Sequence, residues 1–343
     1  MSSPEVSRHS PRPPGIWPIA KRLLTIAFFI LVLVMLVVLA KKLDWQEILQ
    51  TLRAYPASTL AWAALACAAS YLVYSGFDVL GRRYTGHQLP LRQIMPVTFV
   101  CYAFNLNLGS WVGGIAFRYR LYSRLGLENA EITKILSLSL VTNWLGYMLL
   151  AGGLFVSRQV ELPASWKLGT LGLQALGALL LAIALGYLVL CKVAKKRTWH
   201  LRGHAFTLPS FRLASLQALL GATNWTLMAL IVYLLLGQRV GFPLVLGALL
   251  ISSIAGVITH IPAGLGVLET VFVTLLQDEI SKGSLLAALI GYRIIYFLVP
   301  LLIATVLYLT LEAKAKQLKQ RNTEKTQRPD ENQHPATGHN SPG

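Results

Sequence analysis

The stretch HIPAGLGVLET, residues 260–270, interrupts a long apolar region with a histidine, a proline, two glycines and a glutamate. Proline lacks a backbone N–H and glycine is a poor helix former, so both predict that a helix ends here. Apolar residues continue on both sides, at about 243–261 and 264–277. The stretch therefore predicts a broken helix that carries an acidic side chain, Glu269, in apolar surroundings.

The composition is that of a membrane protein. Of the 343 residues, 55% are hydrophobic and 13% are charged, whereas a soluble domain carries about 25% charged residues. Several apolar segments reach the roughly 20 residues that a bilayer-spanning helix needs, and none alternates like a transmembrane strand. We therefore predict an all-α, polytopic transmembrane helical bundle of about eight segments. The apolar segments lie at about 23–40, 57–80, 91–117, 134–156, 168–190, 213–236, 243–261, 264–277 and 285–311.

The two ends of the chain differ from this bundle. Residues 1–20 are rich in proline and serine, and residues 316–343 are polar without an apolar period, which is typical of disordered tails. We expect a transmembrane domain at 21–315 between two disordered cytoplasmic tails. Its first segment is too long for a signal peptide and is followed by Lys41 and Lys42, so we expect it to be a retained span.

The distribution of lysine and arginine predicts the topology. If every apolar segment crossed once, most basic residues would lie outside, against the positive-inside bias. If 91–117 is instead a re-entrant hairpin from the cytoplasmic side, 23 of the 31 Lys and Arg residues face the cytoplasm, together with both termini. We adopt this topology. Segments 243–261 and 264–277 form either two full spans or a second re-entrant hairpin, and charge does not distinguish the two.

Two glycine-rich breaks at matching places predict an inverted repeat. The stretch Gly109–Gly114 comes about 52 residues after the span that begins at Ala57, and Pro262–Gly266 comes about 50 residues after Leu213. Inverted copies with interrupted helices are typical of transporters whose site lies near the middle of the bilayer. The alternative is that any two stretches of a polytopic chain look alike at this level, since no identity beyond glycine supports the repeat.

Four ionisable residues are expected to lie inside the bilayer: Arg118, His260, Glu269 and Arg293. A charge there costs roughly 2.5–3.5 kcal/mol unless it has a partner or a water-filled cavity. Since Glu269 and Arg118 each follow a glycine break by about one helical turn, we expect Glu269 to face Arg118 or Arg293. Such a pair either lines a path for a lipid headgroup or a proton, or is a static ion pair that holds the bundle closed.

Glycines and amides near the breaks are further candidates. A helix that restarts after a glycine turn presents free N–H groups that suit a phosphate or carboxylate, although single glycines can equally mark close helix contacts. Thr-Asn-Trp occurs at 142–144 and at 223–225, where amides form interhelical hydrogen bonds more often than ligand contacts. Asp78, beside Arg82 and Arg83, is expected to be a solvated end charge. These further candidates are Gly113, Gly114, Pro262, Gly264, Gly266, Asn105, Asn143 and Asn224.

Several classes of function are not indicated. No nucleophile with a histidine and an acid, and no paired acidic motif, stands out, so we do not expect an enzyme. Neither the three scattered cysteines nor His200 with His204 forms a metal-ligand set, so we expect no metal and no cofactor. The net charge of +17 comes from loops beside apolar segments, which indicates anionic lipid headgroups and not nucleic acid.

Three stretches resemble the transmembrane region of the lysylphosphatidylglycerol synthase family: PAGLGVLE at 262–269, GGIAFR at 113–118 and GYRIIYFLVP at 291–300. The similarity covers most of residues 21–312. It implies a flippase-like protein that handles phospholipids in the bacterial cytoplasmic membrane. Larger members make aminoacylated phosphatidylglycerol with a cytosolic domain after the spans, and only about thirty polar residues follow here, so synthase activity is not expected.

Two hypotheses for the function are therefore compared. In the first, the protein is a transporter or flippase for an anionic phospholipid, with a site between the two breaks. In the second, it is a non-transporting, lipid-binding partner of a lipid-synthesis enzyme or envelope complex, which uses the basic loops Lys192–Arg202 and Lys314–Lys325. An enzyme that transfers a group to a lipid would need a donor-binding loop, which the sequence does not contain.

Overall fold

The computed structural model describes residues 46, 50, 53–160, 169–201, 204–259 and 264–311. All of them belong to one of the two units into which the chain divides, Gln46–Gly343. The expected span at 23–40, the two expected tails, and the candidate residues His260 and Pro262 lie outside the described residues. The expectations for them stay predictions.

Nine α-helices make up most of this described part. Ser210 and Ser281 cap the helices that follow them: their hydroxyls accept the N–H groups of Leu213 and Ser284, each at 3.3 Å. Two π-helical segments, Ser110–Ala116 and Ile294–Leu298, adjoin these helices. The helices are α1 Ala57–Thr85, α2 Leu91–Leu108, α3 Phe117–Arg124, α4 Asn129–Val156, α5 Gly169–Val193, α6 Phe211–Leu235, α7 Phe242–Thr259, α8 Val267–Leu276 and α9 Lys282–Arg293.

Six helices of the described part are long and apolar enough to span a bilayer. They are α1, α4, α5, α6, α7 and α9, the last of which continues through its π-segment to Leu311. The prediction of an all-α membrane bundle is confirmed at this level, whereas the orientation in the membrane and the inverted repeat stay predictions. Helix α5 keeps large apolar side chains such as Leu171 and Val193 exposed, as contact with lipid tails requires.

The chain reverses direction at both glycine breaks. Gly109 ends α2 with a φ of 81°, and a Cβ on Gly113 would lie 2.2 Å from the carbonyl carbon of Phe104. Residues nine apart in a straight helix are separated by about 13 Å, so the π-segment folds back onto α2. At the second break, a Cβ on Gly256 would lie 3.7 Å from the Cα of Gly264. Both breaks therefore form helical hairpins, α2–α3 and α7–α8.

Glycine contacts bring the central helices together. A Cβ on Gly146 of α4 would lie 2.1 Å from the carbonyl carbon of Gly221 in α6. Likewise, a Cβ on Gly152 of α4 would lie 2.9 Å from the carbonyl oxygen of Gly177 in α5. Close backbone approach through small residues is a common way for membrane helices to associate. The bundle is thus assembled around α4, which contacts both neighbours through glycine.

A short β-hairpin follows α5. Strand β1, Thr198–Leu201, pairs antiparallel with β2, His204–Thr207, and Thr198 lies opposite Thr207. The Tyr84 hydroxyl, near the end of α1, donates a hydrogen bond to the Thr207 carbonyl oxygen. This hairpin is not among the elements predicted from sequence, because strands of four residues are too short for a clear alternating pattern.

Candidate functional site

The second break holds an ion pair between Glu269 and Arg293. Glu269 is the third residue of α8, and its Oε2 accepts the Gly266 N–H at 2.9 Å. Arg293 is the last residue of α9, and its Nε and Nη2 donate to the two carboxylate oxygens at 2.7 and 3.2 Å. Nη2 also donates to the Gly264 carbonyl at 3.2 Å. The pair is therefore bidentate, which is the stronger geometry for an arginine and a carboxylate.

This pair is only partly buried. The side chains of Arg293 and Glu269 are 14% and 17% exposed. Of the two partners that the sequence analysis left open for Glu269, the structure has Arg293 and not Arg118. A small part of each charged side chain thus remains exposed at the break.

Arg118 forms a second and fully buried ion pair, with Asp78 of α1. Its Nη2 and Nε donate to the Asp78 carboxylate at 2.9 and 3.2 Å, and Nη2 also donates to Ser139 Oγ at 3.2 Å. The Tyr122 and Thr98 hydroxyls donate to Asp78 Oδ2 at 2.7 and 3.0 Å. The Asp78 side chain is completely buried.

The expectation that Asp78 is a solvated end charge is therefore wrong. Although Arg82 and Arg83 follow it, the first hairpin covers this end of α1 and removes Asp78 from water. The sequence does contain an indication of this burial, because Asp78 lies between Phe77 and Val79, within the apolar run and not after it. Of the two partners considered for Glu269, Arg118 is excluded, because it pairs with Asp78.

The π-segment Ile294–Leu298 binds side chains of other helices through three successive carbonyls. The carbonyls of residues 295, 296 and 297 accept hydrogen bonds from Cys67 at 3.3 Å, Tyr71 at 3.1 Å and Asn107 at 3.2 Å. A π-turn occurs mostly as a single turn inside an α-helix and often at functional sites. Here side chains of α1 and α2 donate hydrogen bonds to the backbone carbonyls of the wider π-turn.

The two breaks meet at this π-segment. Asn107, two residues before the first break, donates to the Phe297 carbonyl. The guanidinium carbon of Arg293, which holds the second break through Glu269, lies 5.8 Å from the centre of the Phe297 ring. The last long helix therefore connects both breaks within one turn.

A polar cluster lies next to it in the core. The Ser70 hydroxyl donates to Asn224 Oδ1 at 2.8 Å and lies 2.7 Å from the Tyr296 hydroxyl, which lies 2.8 Å from that of Tyr102. Asn224 Nδ2 donates to the Tyr102 hydroxyl at 3.3 Å. Asn224 is fully buried. It thus forms the interhelical hydrogen bonds expected of an amide at this depth.

The Tyr292 hydroxyl differs from this cluster, because it is buried and has no hydrogen-bond partner among the described residues. We expect Tyr292→Phe to leave the free energy of unfolding unchanged or to raise it by up to about 1 kcal/mol, since no bond is lost. Tyr296→Phe, its matched control in the neighbouring ring, should lower it by about 1–3 kcal/mol. Unfolding of both variants in mixed micelles measures this, and an equal loss would contradict the prediction.

The remaining candidate residues occupy different surroundings. Gly113 and Gly114 are buried against α2, and a Cβ on Gly114 would lie 2.7 Å from the amide oxygen of Asn105. The backbone carbonyl of Asn143 accepts the Trp225 indole N–H at 3.2 Å. Close packing accounts for these positions, and a role in ligand binding stays a prediction for them.

A cavity of about 250 Å³ lies apart from the breaks, between the start of α1 and the end of α6. Thr59, Arg239 and Ser284 line it, and the Tyr55 hydroxyl there donates to the Leu235 carbonyl at 2.7 Å. Burial raises the pKa of Tyr55 to about 12, against the opposing effect of Arg239. Ser284 precedes Arg293 in α9 by about 13 Å of helix, so this cavity is not part of the ion-pair site.

The spanning helices and the charged breaks define an integral membrane protein. The chain matches the family model of the lysylphosphatidylglycerol synthase TM region over residues 23–304. It is 51% identical over 318 residues to the inner membrane protein YbhN of Escherichia coli, which covers 92% of this chain and 99% of that protein. The chain therefore belongs to the lysylphosphatidylglycerol synthase transmembrane-region family and is a multi-pass protein of the inner membrane.

More distant relatives include an enzyme. An uncharacterised protein of Synechocystis is 33% identical over 264 residues, which cover 75% of this chain and 80% of that protein. A phosphatidylglycerol lysyltransferase of Staphylococcus haemolyticus is 22% identical over 229 residues, which are 64% of this chain and 25% of the enzyme. The similarity thus extends over only part of that larger protein.

Proposed function

We propose that the protein moves phospholipids with anionic headgroups across the inner membrane, and that the Glu269–Arg293 pair lies on the lipid path. The proposal rests on a bidentate ion pair within an apolar bundle. The side chains of this pair, Arg293 and Glu269, remain 14% and 17% exposed. A guanidinium binds phosphate with the same geometry as carboxylate, so Arg293 suits a lipid phosphate. A relative named for phosphatidylglycerol supports an anionic lipid as the substrate.

The contrast between the two ion pairs supports this assignment. Asp78 and Arg118 are buried and their polar groups are taken up by Tyr122, Thr98 and Ser139, as expected of a static pair. Glu269 and Arg293 are less deeply buried, and they also contact the backbone of a glycine turn at the Gly266 N–H and the Gly264 carbonyl. Ionisable side chains within a membrane bundle are functional candidates, because their insertion is costly.

The arrangement of the breaks supports a path at this place. The first hairpin contacts the π-segment at Phe297, and the second contacts Arg293 four residues earlier, so a shift of either one changes the surroundings of Arg293. On the basis of the Lys and Arg distribution, we place the first hairpin as re-entrant from the cytoplasm, with both termini cytoplasmic. Inverted repeats with broken helices of this kind carry substrates by alternating access.

Lipid translocation by purified protein tests the proposal. In phosphatidylcholine vesicles with a trace of fluorescent phosphatidylglycerol, external dithionite bleaches only lipid that reaches the outer leaflet. We expect wild-type protein to expose the inner-leaflet lipid and Arg293→Gln to slow this about tenfold or more, because a charge-assisted hydrogen bond contributes about 1.5–3 kcal/mol. Arg158→Gln is the matched control, since Arg158 is exposed and outside the breaks.

Two results would contradict this proposal in different ways. Protected fluorescence in vesicles with wild-type protein would exclude translocation and favour the lipid-binding partner of a lipid-synthesis complex. Translocation by Arg293→Gln at the wild-type rate would leave the function in place and exclude this site.

A further inference from the structure

We propose that Glu269 is a built-in competitor for the anion site of Arg293: its carboxylate occupies the site in the empty protein and an incoming lipid phosphate displaces it. The inference rests on the proposed function for the choice of ligand. It assigns to Glu269 the opposite effect on lipid binding from that of Arg293, although the two residues form one pair.

The donor set around Glu269 is that of an anion site. Its carboxylate accepts three hydrogen bonds, from Arg293 Nε at 2.7 Å, Arg293 Nη2 at 3.2 Å and the Gly266 N–H at 2.9 Å. Two oxygens of a phosphate can accept from a guanidinium fork as two carboxylate oxygens do. The site is therefore complete, and the side chain of Glu269 fills it.

Glu269 is placed so that it can leave this site. It stands on the first turn of α8, after two glycines with positive φ, 58° at Gly264 and 80° at Gly266. Its side chain is 17% exposed, so the carboxylate can turn outward. Asp78 cannot, because it is completely buried and also accepts hydrogen bonds from Tyr122 and Thr98.

Displacement exchanges one anion for another. The guanidinium and the Gly266 N–H keep a negatively charged partner throughout, so Arg293 is not left as an unpaired cation when the lipid has departed. The resident glutamate thus provides a neutral resting state for the site.

A competitor that is removed raises the apparent affinity of the ligand, because the fraction of sites that can bind increases. Glu269→Gln keeps the size and one acceptor oxygen of the side chain and removes its charge. We therefore expect it to bind anionic lipid more tightly, whereas a static, structural pair predicts weaker binding. Arg293→Gln should abolish the preference for anionic over zwitterionic lipid.

Native mass spectrometry with equal amounts of phosphatidylglycerol and phosphatidylcholine tests this. The ratio of bound phosphatidylglycerol to bound phosphatidylcholine should rise about fivefold or more in Glu269→Gln, because Glu269 then no longer compensates the charge of Arg293, which favours a net negative headgroup over a zwitterionic one. Arg293→Gln should bring the ratio to that of the mixture. Glu279→Gln, an exposed acid after α8, is the matched control and should equal wild type. If Glu269→Gln does not fold, Glu269→Asp carries the test, because its shorter carboxylate should also raise the ratio.

An unchanged or lower ratio in the folded Glu269 variant overturns the proposal. The vesicle assay separates this from the proposed function. Translocation by wild type without a higher ratio in the variant excludes the competitor and retains the flippase. A higher ratio without translocation by wild type retains the competitor and excludes the flippase.

Discussion

Replacement of Asp78 by asparagine is expected to lower the free energy of unfolding by about 3–5 kcal/mol, the largest effect of a single side chain in this protein. Asparagine has nearly the same shape, so no cavity results. It leaves the Arg118 guanidinium buried without a counter-charge, since the Asp78 oxygens accept its two hydrogen bonds. Desolvation of that cation is then no longer offset by its partner.

Unfolding of the purified protein in mixed micelles, followed by circular dichroism, measures this loss. Asp278→Asn is the matched control, because Asp278 is exposed beyond α8, and its effect should stay within about 0.5 kcal/mol. The double variant Asp78→Asn with Arg118→Gln should be more stable than Asp78→Asn alone, because no unpaired charge remains. Equal stability of Asp78→Asn and Asp278→Asn would show that this ion pair does not hold the first hairpin on α1.

The second large effect is expected at the crossing of α4 and α6. A methyl group at Gly146 would lie 2.1 Å from the Gly221 carbonyl carbon and 2.3 Å from the Ala222 nitrogen. These are backbone atoms and cannot rotate away, so the two helices must separate. We expect Gly146→Ala to lower the free energy of unfolding by about 3 kcal/mol, the upper range for overpacking.

The same substitution elsewhere in α4 is the control. Gly153 has no other atom within 4 Å of an added Cβ. Since alanine is about 1 kcal/mol more favourable than glycine within a helix, Gly153→Ala should be neutral or stabilising. Unfolding in mixed micelles compares the two. If both variants are equally stable, the glycine contact does not set the distance between α4 and α6.

The features that could be predicted from sequence are those with a local cause. The breaks were indicated by glycine, and Gly109 and Gly266 indeed have φ angles of 81° and 80°, which other residues rarely adopt. Length and hydropathy likewise predicted the spanning helices, because a bilayer sets the number of apolar residues a helix needs. Neither prediction depends on the tertiary contacts between helices.

Ion-pair partners had to come from the structure. Arg118 lies 40 residues after Asp78, and the two meet only because the first hairpin folds over the end of α1. From spacing alone, Glu269 had two equivalent partners, and the packing of α8 beside α9 determines the choice. The π-segment likewise has no local signal, since IIYFL contains neither glycine nor proline.

That π-segment also sets the rotational phase of the last helix. A π-turn holds one residue more than an α-turn, so it turns everything beyond it by about 100° relative to an uninterrupted helix. Before the π-turn, the Arg293 side chain faces Glu269. Beyond it, the Tyr308 ring is aligned with the first hairpin, 5.3 Å from Phe117 and 6.2 Å from Phe104. One additional residue thus allows a single helix to present a charged face to one break and an aromatic face to the other.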